Sequence, residues 1–394
     1  MMLRGDFDLR QFLGVQTQIN AAIASAVAVT VGFYFFHKLT RFPGVVSISY
    51  IFPIFSITFG VMFVIFFFGR IEYSRFIFGT SYLICQAWFH FVFLIGRRIM
   101  EPSFAIVPGG DASTMTEIPF ASWTMLTTPA LRTIPRSGIV ADLRADLSDE
   151  WERFIADSAL MGIPVYHYKQ IKESLTGKVE IEHLSENTLG SLLPNGVYSL
   201  VKEVVDRLIS WALLPILLPI FAIVAVLIKL ESKGPIFYRQ ERIGFRGRPF
   251  KVWKFRTMKD GSDLDPADRA AASTKKDDPR ITKVGRVLRR TRLDELPQVF
   301  NIINGEMSWI GPRPEPVVLS SWFEQELPFY RYRHIVKPGI TGWAQVNQGY
   351  VVGVEAVLRK LHYDFYYIKN YSVWIDLVII VKTVRTILTG HGAR

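Results

Sequence analysis

The 394-residue chain has a single cysteine, Cys85. No disulfide can form within it, which fits a reducing compartment. It has no Gly-x-Gly-x-x-Gly fingerprint, so the commonest dinucleotide-binding signature is missing. Charge is absent from long stretches: Gln11–Phe36, Phe42–Gly69, Phe76–Gly96 and Leu208–Ile228 contain no Asp, Glu, Lys or Arg. With 49% hydrophobic residues and a mean hydropathy of +0.22, the chain cannot be disordered or collagen-like, and an ordinary soluble enzyme does not fit. Acidic residues are scarce in the second half. Residues 1–200 hold 15 Lys+Arg against 16 Asp+Glu, whereas residues 201–394 hold 31 against 19. An apolar, near-neutral half therefore precedes a basic half that needs an anionic partner: nucleic acid, an anionic membrane surface or a phosphorylated substrate.

The first three uncharged runs each reach the ~20 apolar residues that cross a hydrocarbon core. They predict a membrane region over residues 1–100 with about three transmembrane helices. A signal peptide is the alternative for the first run, given Arg4, Arg10 and the apolar stretch from Ala21, but no clear cleavage site precedes His37. Pro43, Gly44 and Pro53 predict a kink in the second. Lys and Arg are balanced between the connecting segments, so charge does not orient the helices.

Residues 101–200 read as a small α/β soluble domain. Phe104–Val107 before Pro108-Gly-Gly110, Gly138–Asp142 and Gly162–Tyr166 read as strands. Ser148 can cap a helix with Asp149, Glu150 and Glu152 in its first turn. The pattern is that of a truncated mononucleotide fold. A structural or oligomerisation role, and hence a homo-oligomer, suits it better than nucleotide binding.

Leu208–Ile228 carries Pro215 and Pro219, one helical turn apart. Each proline lacks an N–H and clashes with the carbonyl four residues back, so a bend near the middle of the run is predicted. A bent helix can enter the membrane and return to the same face. A straight, kinked transmembrane helix is the alternative.

In the basic half, Phe250–Arg256 alternates as a strand, with Lys251, Trp253 and Phe255 on one face and Val252, Lys254 and Arg256 on the other. This pattern suits phosphate contacts, a solvated or membrane-surface basic face, or nucleic acid. The acidic stretch 259–279 reads as a surface loop. Farther on, Arg286, Arg289, Arg290 and Arg292 crowd toward Asp294 and Glu295, which should stay ionised in that company. The pair stands just before Pro297, where a helix can begin. It can bind Mg²⁺ through a carboxylate and substrate phosphates, or offer a carboxylate nucleophile; charge neutralisation at a helix end is the plainer alternative. Arg313 sits in a stiff Gly311-Pro-Arg-Pro314 turn that can aim a bidentate guanidinium at phosphate. Trp374–Leu388 is too short and too charged to span a membrane, and fits an interfacial or core helix.

These motifs, taken in order, resemble the bacterial sugar transferases, the monotopic polyprenyl-phosphate phosphoglycosyl transferases. The resemblance covers Lys202 to Ala393. It rests on Lys202…Asp206, Pro219, Gly234-Pro235, Gln240-x-Arg242-x-Gly244, Lys254-Phe-Arg-Thr-Met258, Asp278-Pro-Arg280, Leu293-Asp-Glu-Leu-Pro-Gln298, Gly311-Pro-Arg-Pro314, Lys337-Pro-Gly-Ile-Thr-Gly342, Asn370-Tyr-Ser-x-Trp-x-Asp376 and Gly392-Ala393. The leading helices and small domain look like the larger, multi-helix members.

The resemblance implies a membrane α+β protein: N-terminal transmembrane helices, the small α/β domain, and a catalytic domain over 201–394 with a proline-broken re-entrant helix at 203–229. It implies transfer of a sugar-1-phosphate from a UDP-sugar to undecaprenyl phosphate with release of UMP, initiating exopolysaccharide, capsule or O-antigen synthesis. Such an enzyme works at the cytoplasmic face of the bacterial inner membrane and has no nucleic-acid partner. By the same resemblance Asp294 is the nucleophile of a covalent aspartyl-phosphosugar, and Glu295 holds Mg²⁺. Arg313 and Arg289 contact phosphate together with Gly311 and Pro312, helped by Lys254 and Arg256, and Pro219 with Pro215 marks the helix break. Two departures stand out. Leu218 replaces a serine common before the break proline, and Lys202-Glu203 replaces a Lys-Arg pair, which weakens the expected attraction to lipid headgroups.

Overall fold

The computed structural model describes residues 16–39, 51–99, 102–119, 121–130, 137–181, 194, 196–259, 280–348 and 353–389. Arg4, Arg10, Pro43, Gly44, the acidic stretch from residue 260, Asp278-Pro279 and Gly392-Ala393 lie outside the described residues. The chain divides into two compact units, Met1–Gly177 and Lys178–Arg394.

The first unit begins with α1 (Gln16–Leu39), α2 (Ile51–Phe68) and α3 (Arg75–Ile99). Small residues let α1 approach its neighbours. Ala21, Ala24, Ser25, Ala28 and Gly32 form its buried stripe, and a Cβ on Gly32 would fall 2.6 Å from the Phe55 ring. Behind the stripe, Phe55 and Phe89 pack with ring centroids 4.3 Å apart. The outward faces are apolar: Phe33, Ile57, Phe67, Leu83 and Trp88 are exposed. That inside-out arrangement suits a lipid solvent. With one further helix below, four helices are long and apolar enough to cross a membrane, and they associate the chain with one.

Next comes a parallel sheet of β1 (Ser103–Ile106), β2 (Ser122–Met125), β3 (Gly138–Ala141) and β4 (Val165–His167), in the order β2-β1-β3-β4. Alternate residues feed two cores. Phe104, Ile106 and Val140 meet α5 (Tyr168–Thr176), while Ala105, Ile139 and Ala141 meet α4 (Asp149–Leu160). Ser148 stands at the N-cap of α4, but its side chain makes no capping bond. The turn after β1 is filled from inside the protein: Asp142 accepts from the Asp111 N–H at 3.1 Å, and a Cβ on Gly110 would fall 2.3 Å from its Oδ2. A carboxylate there has the wrong sign for a nucleotide phosphate.

The second unit is built on α6 (Gly196–Glu231), one helix of 36 residues with Pro215 and Pro219 inside it. The prolines withdraw the donors owed to the carbonyls of Trp211 and Pro215. Its buried residues, Lys202, Asp206, Ser210, Leu217, Phe221, Val224 and Ile228, form one stripe. That stripe follows about 39 Å of helix path. The other faces expose Leu208, Trp211, Ile216, Ile223 and Leu230.

The polar end of the stripe anchors the helix. Lys202 Nζ lies 2.6 Å from Asp376 Oδ2 and 3.9 Å from Asp206. Tyr198 and Tyr367 donate to Asp376 at 2.6 and 2.9 Å, and Ser308 donates to Asp206 at 2.6 Å. Lys202 is therefore buried inside the protein rather than offered to headgroups. Glu203 pairs with Arg207 at 2.6 Å and Lys337 at 3.0 Å. Asp376 lies on the helix Val373–Thr389, whose Ile375, Val378 and Ile379 are fully buried, so this helix belongs to the core. At the apolar end, Leu217, Phe221, Val224 and Ile228 pack with Phe255, Leu288 and Val299.

Candidate active site

Three segments converge on the Asp-Glu pair. The hairpin of β5 (Phe237–Ile243) and β6 (Pro249–Phe255) supplies Arg242 and Lys254. Asp294 and Glu295 lie in the first turn of a 3-10 helix, Leu293–Gln298, that runs into α8 (Val299–Ile303). Before it, α7 (Lys283–Thr291) ends at Arg292, which takes a left-handed conformation (φ 60°) and turns the chain into the pair. The loop after β7 (Ser308–Ile310) supplies Arg313.

Glu295 is the fixed member. It is buried, and its Oε1 accepts from Arg313 Nη2 at 2.5 Å and Lys254 Nζ at 3.0 Å, while its Oε2 accepts from Arg313 Nη1 at 3.2 Å. Burial acts upward on its pKa, but Arg313 and Lys254 outweigh it and hold the carboxyl well below the usual range. Asp294 is the opposite case. Its Oδ1 is buried with no hydrogen-bond partner among the described residues. Burial and the adjacent Glu295 charge raise its pKa. The sequence expectation that both carboxylates stay ionised treats them alike and misses this split, because the cations engage Glu295 rather than Asp294. Burial also brings Lys254 down to about 8, against the pull of Glu295.

The Arg313 loop is clamped at three consecutive carbonyls. Pro312 O accepts from the Gly339 N–H at 3.0 Å, Arg313 O from Arg333 Nη2 at 2.9 Å, and Pro314 O from Arg242 Nη1. Arg333 is itself buried and held by Asp364 (2.9 and 3.2 Å) and the Tyr330 hydroxyl (2.7 Å). Lys360 pairs with Glu315. Burial acts upward on Glu315, but Lys360 and Arg333 bring it down to about 2. Gly311 allows close packing, since a Cβ there would lie 2.3 Å from Lys337 O; Gly339 and Gly342 face it with equally little room.

The predicted residues thus separate. Asp294, Glu295, Lys254 and Arg313 come together, with Arg292 at 3.9 Å from Glu295. Gly311 and Pro312 shape the loop. Arg256 turns away: its guanidinium donates to the carbonyls of Ser232 (2.9 Å) and Lys233 (2.7 Å) just past the end of α6. Arg289 makes no ion pair among the described residues and is half-buried, and Arg286 and Arg290 are exposed on α7. Pro215 and Pro219 remain within α6. Arg242, Arg333, Asp364, Glu315 and Lys360 carried no site role in the sequence reading. Only Arg242 had a signal, the Gln240-x-Arg242-x-Gly244 motif.

No group of three potential metal-ligating side chains occurs among the described residues. The orphaned Asp294 oxygen beside Glu295 nevertheless fits Mg²⁺, which takes one or two carboxylates and completes its shell with substrate phosphate and water.

Residues 197–390 match the family described as bacterial sugar transferase. The chain is 44% identical over 378 residues, 96% of its own length and 88% of the relative's, to a UDP-N-acetylgalactosamine-undecaprenyl-phosphate N-acetylgalactosaminephosphotransferase of Aeromonas hydrophila. It is 42% identical over 192 residues to a UDP-glucose:undecaprenyl-phosphate glucose-1-phosphate transferase of Escherichia coli (strain K12), spanning 48% of this chain and 40% of that relative. A transferase of the same description from Caulobacter vibrioides is 38% identical over 209 residues, 52% of this chain and 76% of the relative.

Proposed function

Because the chain belongs to the bacterial sugar transferase family, we propose that it transfers a sugar-1-phosphate from a UDP-sugar to undecaprenyl phosphate, releasing UMP and initiating a surface glycan. The observation that carries this reading is the asymmetry of the two carboxylates: Glu295 is anchored by Arg313 and Lys254, and Asp294 keeps an oxygen with no partner among the described residues.

In the first step an Asp294 oxygen attacks the β-phosphorus of the UDP-sugar. A bond from Asp294 to phosphorus forms, the bond to the bridging oxygen breaks, and UMP leaves with that oxygen and its electron pair. In the second step a phosphate oxygen of the lipid attacks the same phosphorus and expels Asp294 as a carboxylate. Two displacements at one centre let two polyanions react without meeting directly. Lys254 and Arg313, preorganised by Glu295, present positive charge where the transferring phosphoryl group develops negative charge. Asp294 and Glu295 would hold Mg²⁺, which supplies further charge neutralisation on the diphosphate.

A one-faced membrane helix suits this chemistry, since the nucleophile must meet a lipid headgroup. The stripe of α6 supports that reading. It packs on the catalytic unit from Lys202 to Ile228, so a helix crossing the bilayer would carry polar elements of that unit into the hydrocarbon. A re-entrant helix, bent at Pro215 and Pro219, avoids this and leaves both ends at the cytoplasmic face of the inner membrane, where UDP-sugars are found.

A panel of UDP-sugars assayed for UMP release tests the reaction. UMP should appear only with undecaprenyl phosphate and a preferred donor present; UDP-N-acetylgalactosamine is the first to try, given the Aeromonas hydrophila relative. No release with any UDP-sugar sinks the proposal.

The site also predicts a two-sided pH profile. The nucleophile works deprotonated, so turnover should fall with acid through the raised pKa of Asp294, above the ~3.9 of a free aspartate. It should fall again in base as Lys254, at about 8, loses its charge. Lys254→Arg, measured across pH, should shift the basic limb upward. A basic limb left in place removes Lys254 from the account.

A further inference from the structure

The proposed chemistry leaves one side of α7 unused. Its inner side is tightly packed: Leu288 lies in the core with α6, and a Cβ on Gly285 would fall 2.1 Å from Thr257 O. The outer side carries Lys283, Arg286, Val287 and Arg290, at spacing i, i+3, i+4 and i+7, within an arc of about 100°. All four are exposed, Val287 by 60%. Arg286 and Arg290 form no ion pair among the described residues, while Lys283 has the Glu231 carboxylate beside it. The sequence expectation had Arg286 and Arg290 crowding the Asp-Glu pair, and the structure turns them outward.

Position says what this face meets. The membrane helix α6 ends at Glu231, whose carboxylate accepts from the N–H groups of Lys283 (2.6 Å) and Val284 (2.9 Å). The start of α7 is thereby fastened to the end of the apolar helix, beside exposed Val226, Leu227 and Leu230. A short helix held at that boundary, with a cationic face and a valine in the middle of it, matches an anionic headgroup layer. Given the reading of α6 as a membrane helix, we propose that the Lys283/Arg286/Val287/Arg290 face docks on anionic phospholipid headgroups. Leu293, the start of the turn that carries Asp294, follows α7 by one residue. Docking therefore seats the nucleophile at the depth where a lipid-borne phosphate is presented.

The test uses the full chain in nanodiscs of phosphatidylcholine alone or with about one-third phosphatidylglycerol. Val287→Cys in a Cys85→Ala background carries an environment-sensitive dye, a readout that needs no turnover. Its emission should shift to the blue with phosphatidylglycerol and return at ~1 M salt. Lys283→Gln/Arg286→Gln/Arg290→Gln should abolish the shift. UMP release by the wild type should be several-fold faster in anionic discs, and the triple variant should lose that difference with an unchanged KM for the UDP-sugar. A dye blind to phosphatidylglycerol, or a triple variant that keeps the lipid dependence, overturns the docking face. A several-fold rise in donor KM assigns these cations to the nucleotide diphosphate instead and overturns it equally. Wild-type protein released from membranes by alkaline carbonate would overturn the membrane reading itself, and the docking face with it.

Discussion

Asp294→Asn should lower UMP release by about 10⁴-fold or more, the loss expected when a covalent nucleophile is removed, and should leave the fold intact. The amide keeps the shape and cannot form the acyl phosphate. The stability effect has a definite sign. An acid whose pKa is raised in the folded state destabilises the protein once ionised, and that cost grows as pH rises through the folded value. Asparagine removes the charge that Glu295 repels, so the melting temperature at neutral pH should hold or rise. A loss of activity together with stability would point to a structural role for Asp294.

Arg313→Ala should lower turnover by about 10²-fold or more, the scale of a lost electrostatic contact to a transferring group, and should also destabilise the protein. Glu295 is buried and keeps only the hydrogen bond from Lys254, with Arg292 3.9 Å away, once the two-pronged bond from Arg313 is gone. Breaking a buried pair from one side costs about 3–5 kcal/mol at its fully buried limit, and the part-exposed Arg313 side chain (22%) brings the figure below that limit. Arg313→Lys should recover stability better than turnover, since an ammonium restores the charge without the planar fork. Equal recovery of both would mean that the fork does nothing at the phosphate. Thermal unfolding and UMP release, measured on the same preparations, decide it.

The parts of this site visible in the sequence were those written in short, contiguous motifs. The Asp294-Glu295 dipeptide, the Gly-Pro-Arg-Pro loop and the strand alternation that sends Lys254 toward Glu295 could be read directly, as could the four uncharged helical runs. Alternation failed at Arg256, because β6 stops at Phe255 and the arginine instead ties down the chain beyond α6. The arginines of α7 looked alike in sequence. Only the αL turn at Arg292 and the packing of Leu288 separate the one near Glu295 from those facing outward. Arg333–Asp364, Lys360–Glu315 and Lys202–Asp376 left no usable signal, since each joins residues 31, 45 or 174 positions apart. A pair formed by tertiary packing has no local spacing to betray it. The opposite fates of two adjacent carboxylates were hidden for the same reason: burial and the choice of partner, not the dipeptide, set them apart.

The covalent step is the centre of this account, and intact-protein mass spectrometry tests it most directly. Wild-type protein mixed with its preferred UDP-sugar, without undecaprenyl phosphate, should gain the mass of one phosphosugar. That mass should map to the peptide containing Asp294, vanish when the lipid phosphate is added, and never form on Asp294→Asn. Full turnover with no adduct, or an adduct mapped to another residue, would contradict it.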